Sequence, residues 1–189
     1  LPQEVSTIFG DVVHNLRTAL DLIAYGLIVQ HGGNERFTGF PFHEEARNFE
    51  DSLRNGPISV LPEGIIDLLK SIQPYRGGVG DDLWRMNKLD IIDKHRLLLA
   101  AEHITGIENA KFAGDPGMVV GKMGNRNPDA YLAITTEPLV NSRNTRLTFE
   151  VVIKEKGYFT DENLIYTLRN LAMKTYKVVE SFECRLFCL

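Results

Sequence analysis

The sequence predicts a mainly helical α+β protein: a helical bundle with a small antiparallel sheet inserted before its C-terminal helix. Three observations carry that expectation. Apolar residues recur at three- and four-residue steps over most of residues 1–105. Between about 106 and 156 the period changes to two, and Gly, Pro and Asn punctuate short apolar runs. A helical pattern then resumes and holds from about 160 to 187. With 189 residues, 43% hydrophobic and 24% charged, the chain is long enough for a single domain with a full core.

The first helix is expected at about residues 3–31. Val5, Phe9, Val12, Leu16, Leu20, Ile23 and Leu27 form one apolar stripe along it. Leu22, Ala24 and Ile28 lie off that stripe, so its second half should pack against more than one neighbour. Gly32, Gly33 and Asn34 tolerate positive φ and end it. An aromatic loop at 37–43, with Phe40, Pro41 and Phe42, is expected to close one end of the core. Short helices follow at about 44–53 and 62–72. Gln73-Pro74-Tyr75 stops the second, because proline disfavours helix at the residue before it.

Asp81 or Asp82 is expected to cap a longer helix running to about Ile104. Trp84, Met86, Leu89, Ile91, Ile92, Leu97, Leu98 and Leu99 cover nearly its whole circumference, which predicts a central helix. Strands are expected at 118–120, 130–136 and 146–153. Turns at 114–117, 125–129 and 141–144 join them into an antiparallel meander. Thr160 is expected to cap the last helix, whose Leu164, Leu168, Leu171, Val178 and Phe182 share one face.

Charge narrows the function classes. The formal net charge is −4, with −5 over residues 1–105 and +1 over the remainder. Neither part carries the basic excess of a strong duplex binder. The longest apolar stretch, 22–29, is too short to span a bilayer, so no membrane partner is expected. Cys184 and Cys188 sit four apart, where neighbouring helical turns rarely give disulfide geometry. Read as thiols, they predict a cytoplasmic setting. The chain begins at Leu1 rather than Met, so a few preceding residues are expected.

Two stripes of polar residues interrupt the apolar helices. His14, Arg17 and Asp21 fall at i, i+3 and i+7 of the first helix. Asp93, Arg96, Ala100 and His103 fall at i, i+3, i+7 and i+10 of the expected central helix. If the stripes face each other, Arg17 pairs with Asp93 and Arg96 with Asp21. Buried charge is expensive unless paired, so such a set has either an architectural role, fixing helix register, or a chemical one. Two carboxylates, two guanidinium groups and two imidazoles are suited to anion binding or acid–base work. His14, Asp21, Asp90, Asp93, His95 and His103 include metal-ligand types. There is no HExxH, Arg17 and Arg96 repel a cation, and Asp90 is spaced to pair with Lys94. Neither a metal nor a cofactor is expected.

At these residues two resemblances appear. Gly10-Asp11-Val12-Val13-His14-Asn15-Leu16-Arg17 with Asp21, then Phe40-Pro41, Gln73-Pro74-Tyr75 and Asp93-Lys94-His95-Arg96, resemble a pattern in uncharacterised bacterial proteins. It covers about residues 8–96 and implies a bacterial origin, with no activity attached. Arg96 and His103, with six residues between them, resemble the Arg–His motif of HEPN nucleases, helical and usually dimeric RNases. That resemblance implies a metal-independent RNase in which Arg96 positions phosphate and His103 works near the scissile 2′-OH. Leu97 stands where that family usually has a polar residue, and Arg36 and His43 match the same spacing.

Three further signals are weaker. The glycine-rich loop at 76–80 precedes a helix start but lacks the Lys-Ser/Thr of a phosphate-binding loop, and reads as a flexible linker. No Gly-x-Ser-x-Gly elbow is present. Tyr131 and Phe149 with Lys122, Arg126, Arg143 and Arg146 read as an ordinary solvated sheet face, although such a set suits single-stranded nucleic acid. The leading expectation is a non-catalytic, cytoplasmic helical-bundle protein that binds a partner or self-associates, most simply as a homodimer. Its small-molecule ligand, if it has one, is not specified by these residues. The rival is the RNase, with RNA as its partner and Arg96 and His103 as its catalytic pair.

Overall fold

Residues 3–34, 36, 39–98, 100–108, 111–112, 139–140 and 146–187 are described in the computed structural model of this chain. Their order is α1 (Gln3–Gln30), α2 (Ala46–Asn55), a 3-10 turn (Pro57–Val60), α3 (Glu63–Ile72), α4 (Asp81–Asp93), β1 (Ala100–Glu108), β2 (Lys111–Phe112), β3 (Leu139–Val140), β4 (Arg146–Ile153) and α5 (Leu164–Phe187). The chain is mainly helical, with small antiparallel sheet structure before the C-terminal helix. It divides into two compact units, Leu1–Ala100 with Ile153–Leu189, and Ala101–Val152.

In the first unit α1 packs on both α4 and α5, which also touch each other. Phe9, Val13, Leu20, Ala24, Leu27 and Ile28 of α1 are buried: Phe9, Leu20 and Leu27 belong to the expected stripe, Ala24 and Ile28 lie off it, and Leu22 is exposed. Among the described helices α1 is also long and apolar enough, by length and composition alone, to cross a membrane. Its end is a Schellman motif. The Gly32 N–H bonds to Val29 O at 3.1 Å, the Gly33 N–H bonds to Ile28 O at 2.8 Å, and Gly32 sits at φ 76°. The expected positive φ is thus realised at a glycine, where it carries no Cβ penalty.

Phe40 is buried and packs edge-on against Phe182 of α5, with ring centroids 6.4 Å apart. The aromatic loop therefore closes the core beside α5, as its composition predicts. α3 ends at Ile72, and Gln73 adopts a left-handed conformation at φ 52° before Pro74. Gly80, not Asp81 or Asp82, occupies the N-cap position of α4. The two aspartates lie in its first turn, where carboxylates favour the helix N-terminus. Asp82 also pairs with Lys174 of α5.

Two expected boundaries are corrected. The central helix stops at Asp93 rather than near Ile104, and the chain is extended again from Ala100. A short apolar run such as Leu97, Leu98 and Leu99 reads equally well as buried helix or strand, so periodicity does not separate the two here. α4 is only 13 residues long, and α1, α4 and α5 each touch the other two. The cap of α5 is Asn163 rather than Thr160. Asn163 Oδ1 accepts the Tyr166 N–H at 3.0 Å, in the N-cap to N3 relation. Thr160 instead donates to Glu155 O at 2.6 Å, inside the preceding loop.

In the second unit β1 pairs with β4. β2 pairs antiparallel with β3, placing Lys111 opposite Val140 and Phe112 opposite Leu139. The expected strand at 146–153 is β4. The expected strands at 118–120 and 130–136, the three turns, and Lys122, Arg126, Tyr131, Arg143 and Cys188 lie outside the described residues.

Candidate functional site

The polar residues of α1 and α4 do meet, in a register different from the expected one. Along the seam Gly10 lies against Asp93, His14 against Asp90, and Arg17 against Asn87. Each step of three or four residues up α1 is matched by three down α4, so the helices run antiparallel.

Asp90 is the centre of this set, and it is 1% exposed. His14 Nδ1 lies 2.7 Å from its Oδ1, and Lys94 Nζ lies 2.7 Å from its Oδ2. Arg17 Nε stands 3.6 Å from Oδ2 and donates to Asn87 Oδ1 at 3.4 Å. Burial alone would push the Asp90 carboxyl up. The His14 hydrogen bond and the Lys94 ion pair, with the Arg17 charge, outweigh burial and hold it below its ordinary range. An ionised Asp90 only accepts, so Nδ1 of His14 is the donor in this bond. The side chains of His14 and Lys94 remain half-exposed, at 51% and 48%, so the carboxylate is sealed by groups that still reach water.

The expected Arg17–Asp93 and Arg96–Asp21 pairs do not form. Arg17 pairs with Asp21 one turn along its own helix. Asp21 in turn accepts the Phe40 N–H at 2.9 Å, tying α1 to the aromatic loop. Arg96 lies in the turn after α4, and its guanidinium grips Glu155 through two bonds of 2.9 and 2.7 Å. Glu155 is 2% exposed. The early end of α4 is the cause, because it removes Arg96 from the helical line on which Asp93 and Asp90 lie.

Asp93 is held differently. One of its carboxylate oxygens, Oδ1, is buried and has no hydrogen-bond partner among the described residues. Burial pushes its carboxyl above the ordinary range, opposed by a hydrogen bond from the Leu98 backbone and reinforced by the nearby Asp11 and Asp90 charges.

His103 falls on β1, in extended chain. The i, i+3, i+7, i+10 line from Asp93 through Arg96 and Ala100 to His103 therefore does not exist as a helical stripe. That is a second correction with the same cause as the first.

No family model matches the chain, and no curated protein or solved structure shows significant similarity to it. What the site can do rests on its own geometry.

Two residues of that geometry are illegible in their local pattern. Asp90 is readable as the i,i+4 partner of Lys94, and that pair is present. Nothing in its spacing announces that the same carboxylate also takes His14 from another helix. Glu155 lies between strand and turn, without periodicity to mark it as buried.

The glycine-rich loop at 76–80 is closed by its own hydrogen bonds. The Gly77 N–H goes to Asp81 Oδ1 at 2.8 Å, and the Gly78 N–H to Tyr75 O at 3.0 Å. The Val79 N–H goes to Gln73 Oε1 and the Gly80 N–H to Gln73 O, both at 3.2 Å. These four amides are already bonded, so the loop offers none of them to a phosphate.

Beneath the aromatic loop is a void of about 10 Å³ among Ala24, Leu27, Phe40, Ile58 and Phe182, room for one water at most. A surface depression of about 500 Å³ between α2 and α3 shares no residue with the Asp90 set.

Proposed function

We propose that this protein is a non-catalytic helical-bundle protein that works by association, binding a partner and most simply a second copy of itself. The Asp90 set fixes how α1 and α4 align. One observation carries this reading: the buried carboxylate of Asp90 is neutralised on both oxygens by groups of its own chain. Such an arrangement supports helix register, because a one-turn slip would leave a buried charge unpaired. Arg96, the residue a nuclease needs free for phosphate, is engaged by buried Glu155. The thiol spacing, and the resemblance of residues 8–96 to a pattern in uncharacterised bacterial proteins, support a bacterial cytoplasmic setting.

The test combines sedimentation of the purified chain with incubation of bulk RNA in EDTA. Association at about 100 μM, well above the micromolar affinity of weak specific complexes, is expected, with the RNA left intact. A strict monomer that cuts RNA, and stops cutting on His103→Ala, overturns the proposal in favour of the nuclease.

A further inference from the structure

One face of α5 is built into the bundle. Leu164, Thr167, Leu171, Thr175, Val178 and Phe182 are all buried. The opposite face is not the charged surface that solvent would select. Ile165, Tyr166, Met173 and Tyr176 are exposed by 62%, 65%, 54% and 64%. At about 100° per residue, these four share one stripe with Arg169, Glu180 and Glu183, roughly 120° wide. Single exposed apolar residues are ordinary. Four large ones along one stripe of one helix, in two pairs either side of Arg169, are the kind of exposed apolar surface that marks an interaction site.

The charges on the stripe select the occupant. Its first half carries Arg169 and no acid, and its second half carries Glu180 and Glu183 and no base, with Lys177 just outside its edge. A stripe positive at one end and negative at the other is complementary to itself turned end for end. If two α5 helices lie antiparallel about a two-fold axis between Met173 and Tyr176, Arg169 of each copy faces Glu180 of the other. Met173 then faces Tyr176, and the Tyr166 hydroxyl faces Glu183. Every contact occurs twice, as an isologous interface requires. Parallel pairing would set Arg169 against Arg169 and Glu180 against Glu180. Within each chain the Tyr176 hydroxyl bonds Glu180 Oε1 at 3.2 Å, which holds that carboxylate on the stripe.

We propose that the outer stripe of α5 is the homodimer interface of this protein, two copies docking antiparallel through Tyr166, Arg169, Met173, Tyr176 and Glu180. This rests on the association reading above and names its surface. The apolar centre supplies affinity, and the paired ends set orientation and reject the parallel arrangement.

The experiment is sedimentation of the full chain and two charge variants, Arg169→Glu and Glu180→Arg, alone and mixed. The unsubstituted chain is expected to dimerise. Each variant alone places like charges at both ends of the interface and is expected to weaken dimerisation by about tenfold or more. An equimolar mixture of the two restores opposite charges at both ends and is expected to recover the dimer. A misfolded variant would not be rescued in this way. If the unsubstituted chain dimerises and both variants dimerise equally well, the α5 interface is wrong and the association reading stands. If the variants are monomeric and their mixture stays monomeric, the antiparallel pairing is wrong. A monomeric unsubstituted chain overturns both.

Discussion

A side chain at Gly10 would run into the carboxylate of Asp93. A Cβ built there meets both carboxylate oxygens and the carbon between them. Any side chain at position 10 requires the Asp93 carboxylate to move. In a helix interior Ala is ordinarily better than Gly by about 1 kcal/mol. Here the sign is expected to reverse. Gly10→Ala is predicted to destabilise the protein by about 1–3 kcal/mol through overpacking, read from urea denaturation midpoints. Adding Asp93→Gly removes the obstacle and is expected to recover part of that loss.

Asp90 has a lowered carboxyl pKa and is sealed by bases, so its neutral amide analogue should be costly. Asp90→Asn is predicted to cost about 1–3 kcal/mol at pH 7, because it removes the counter-charge of half-exposed His14 and Lys94, while Arg17 keeps Asp21. A depressed folded-state pKa contributes stability above the unfolded value, which is lost as pH falls through the folded one. The gap between Asp90→Asn and the unsubstituted protein should therefore narrow once pH drops below about 4. A gap that is flat from pH 7 to pH 2 would show that ionisation of Asp90 does not contribute.

Asp93 runs the other way. Its carboxyl is raised, so its ionised form weakens the fold at neutral pH, and protonation relieves that cost as pH falls. Asp93→Asn keeps the shape and removes the charge. The expected result is a higher Tm than the parent at pH 7, with the difference fading in acid. A lower Tm at pH 7 would mean that Asp93 needs its charge.

Arg96→Ala separates the architectural role of that residue from a nucleolytic one. It removes both of the hydrogen bonds that Arg96 makes to buried Glu155 and is expected to lower Tm. The double variant Arg96→Leu with Glu155→Leu, which removes the buried charge together with Arg96, is expected to recover part of the loss. Bulk RNA should stay intact with the parent and both variants alike.

At the start of α5 the cap can be tested directly. Asn163→Ala is predicted to cost about 1 kcal/mol by removing the acceptor for the Tyr166 N–H. Thr160→Ala acts on the loop bond to Glu155 instead, so it should add independently to Asn163→Ala rather than replace it.

Much of the architecture is legible in local pattern. The stripe of α1, its glycine terminus, the stop at Gln73-Pro74 and the long C-terminal helix all follow from rules acting over a few residues. The mainly helical class with inserted strands follows from the same patterns. Those rules also show that Asp, Arg and His lie on faces where charge is expensive. They fail at Leu97, Leu98 and Leu99, where an apolar run carries no period, and that one boundary displaces Arg96 and His103 from the line expected of them.

Sequence alone thus determined that α1 and α4 carry ionised groups in need of partners, because helix periodicity places side chains on faces without reference to any other element. Which groups meet was decided by tertiary structure. The register between two helices depends on which side chains meet along their seam, here Gly10 with Asp93 and His14 with Asp90, and on where each helix ends. Neither quantity is written in the spacing of a single helix, so Asp90 became the hub and Glu155 took Arg96.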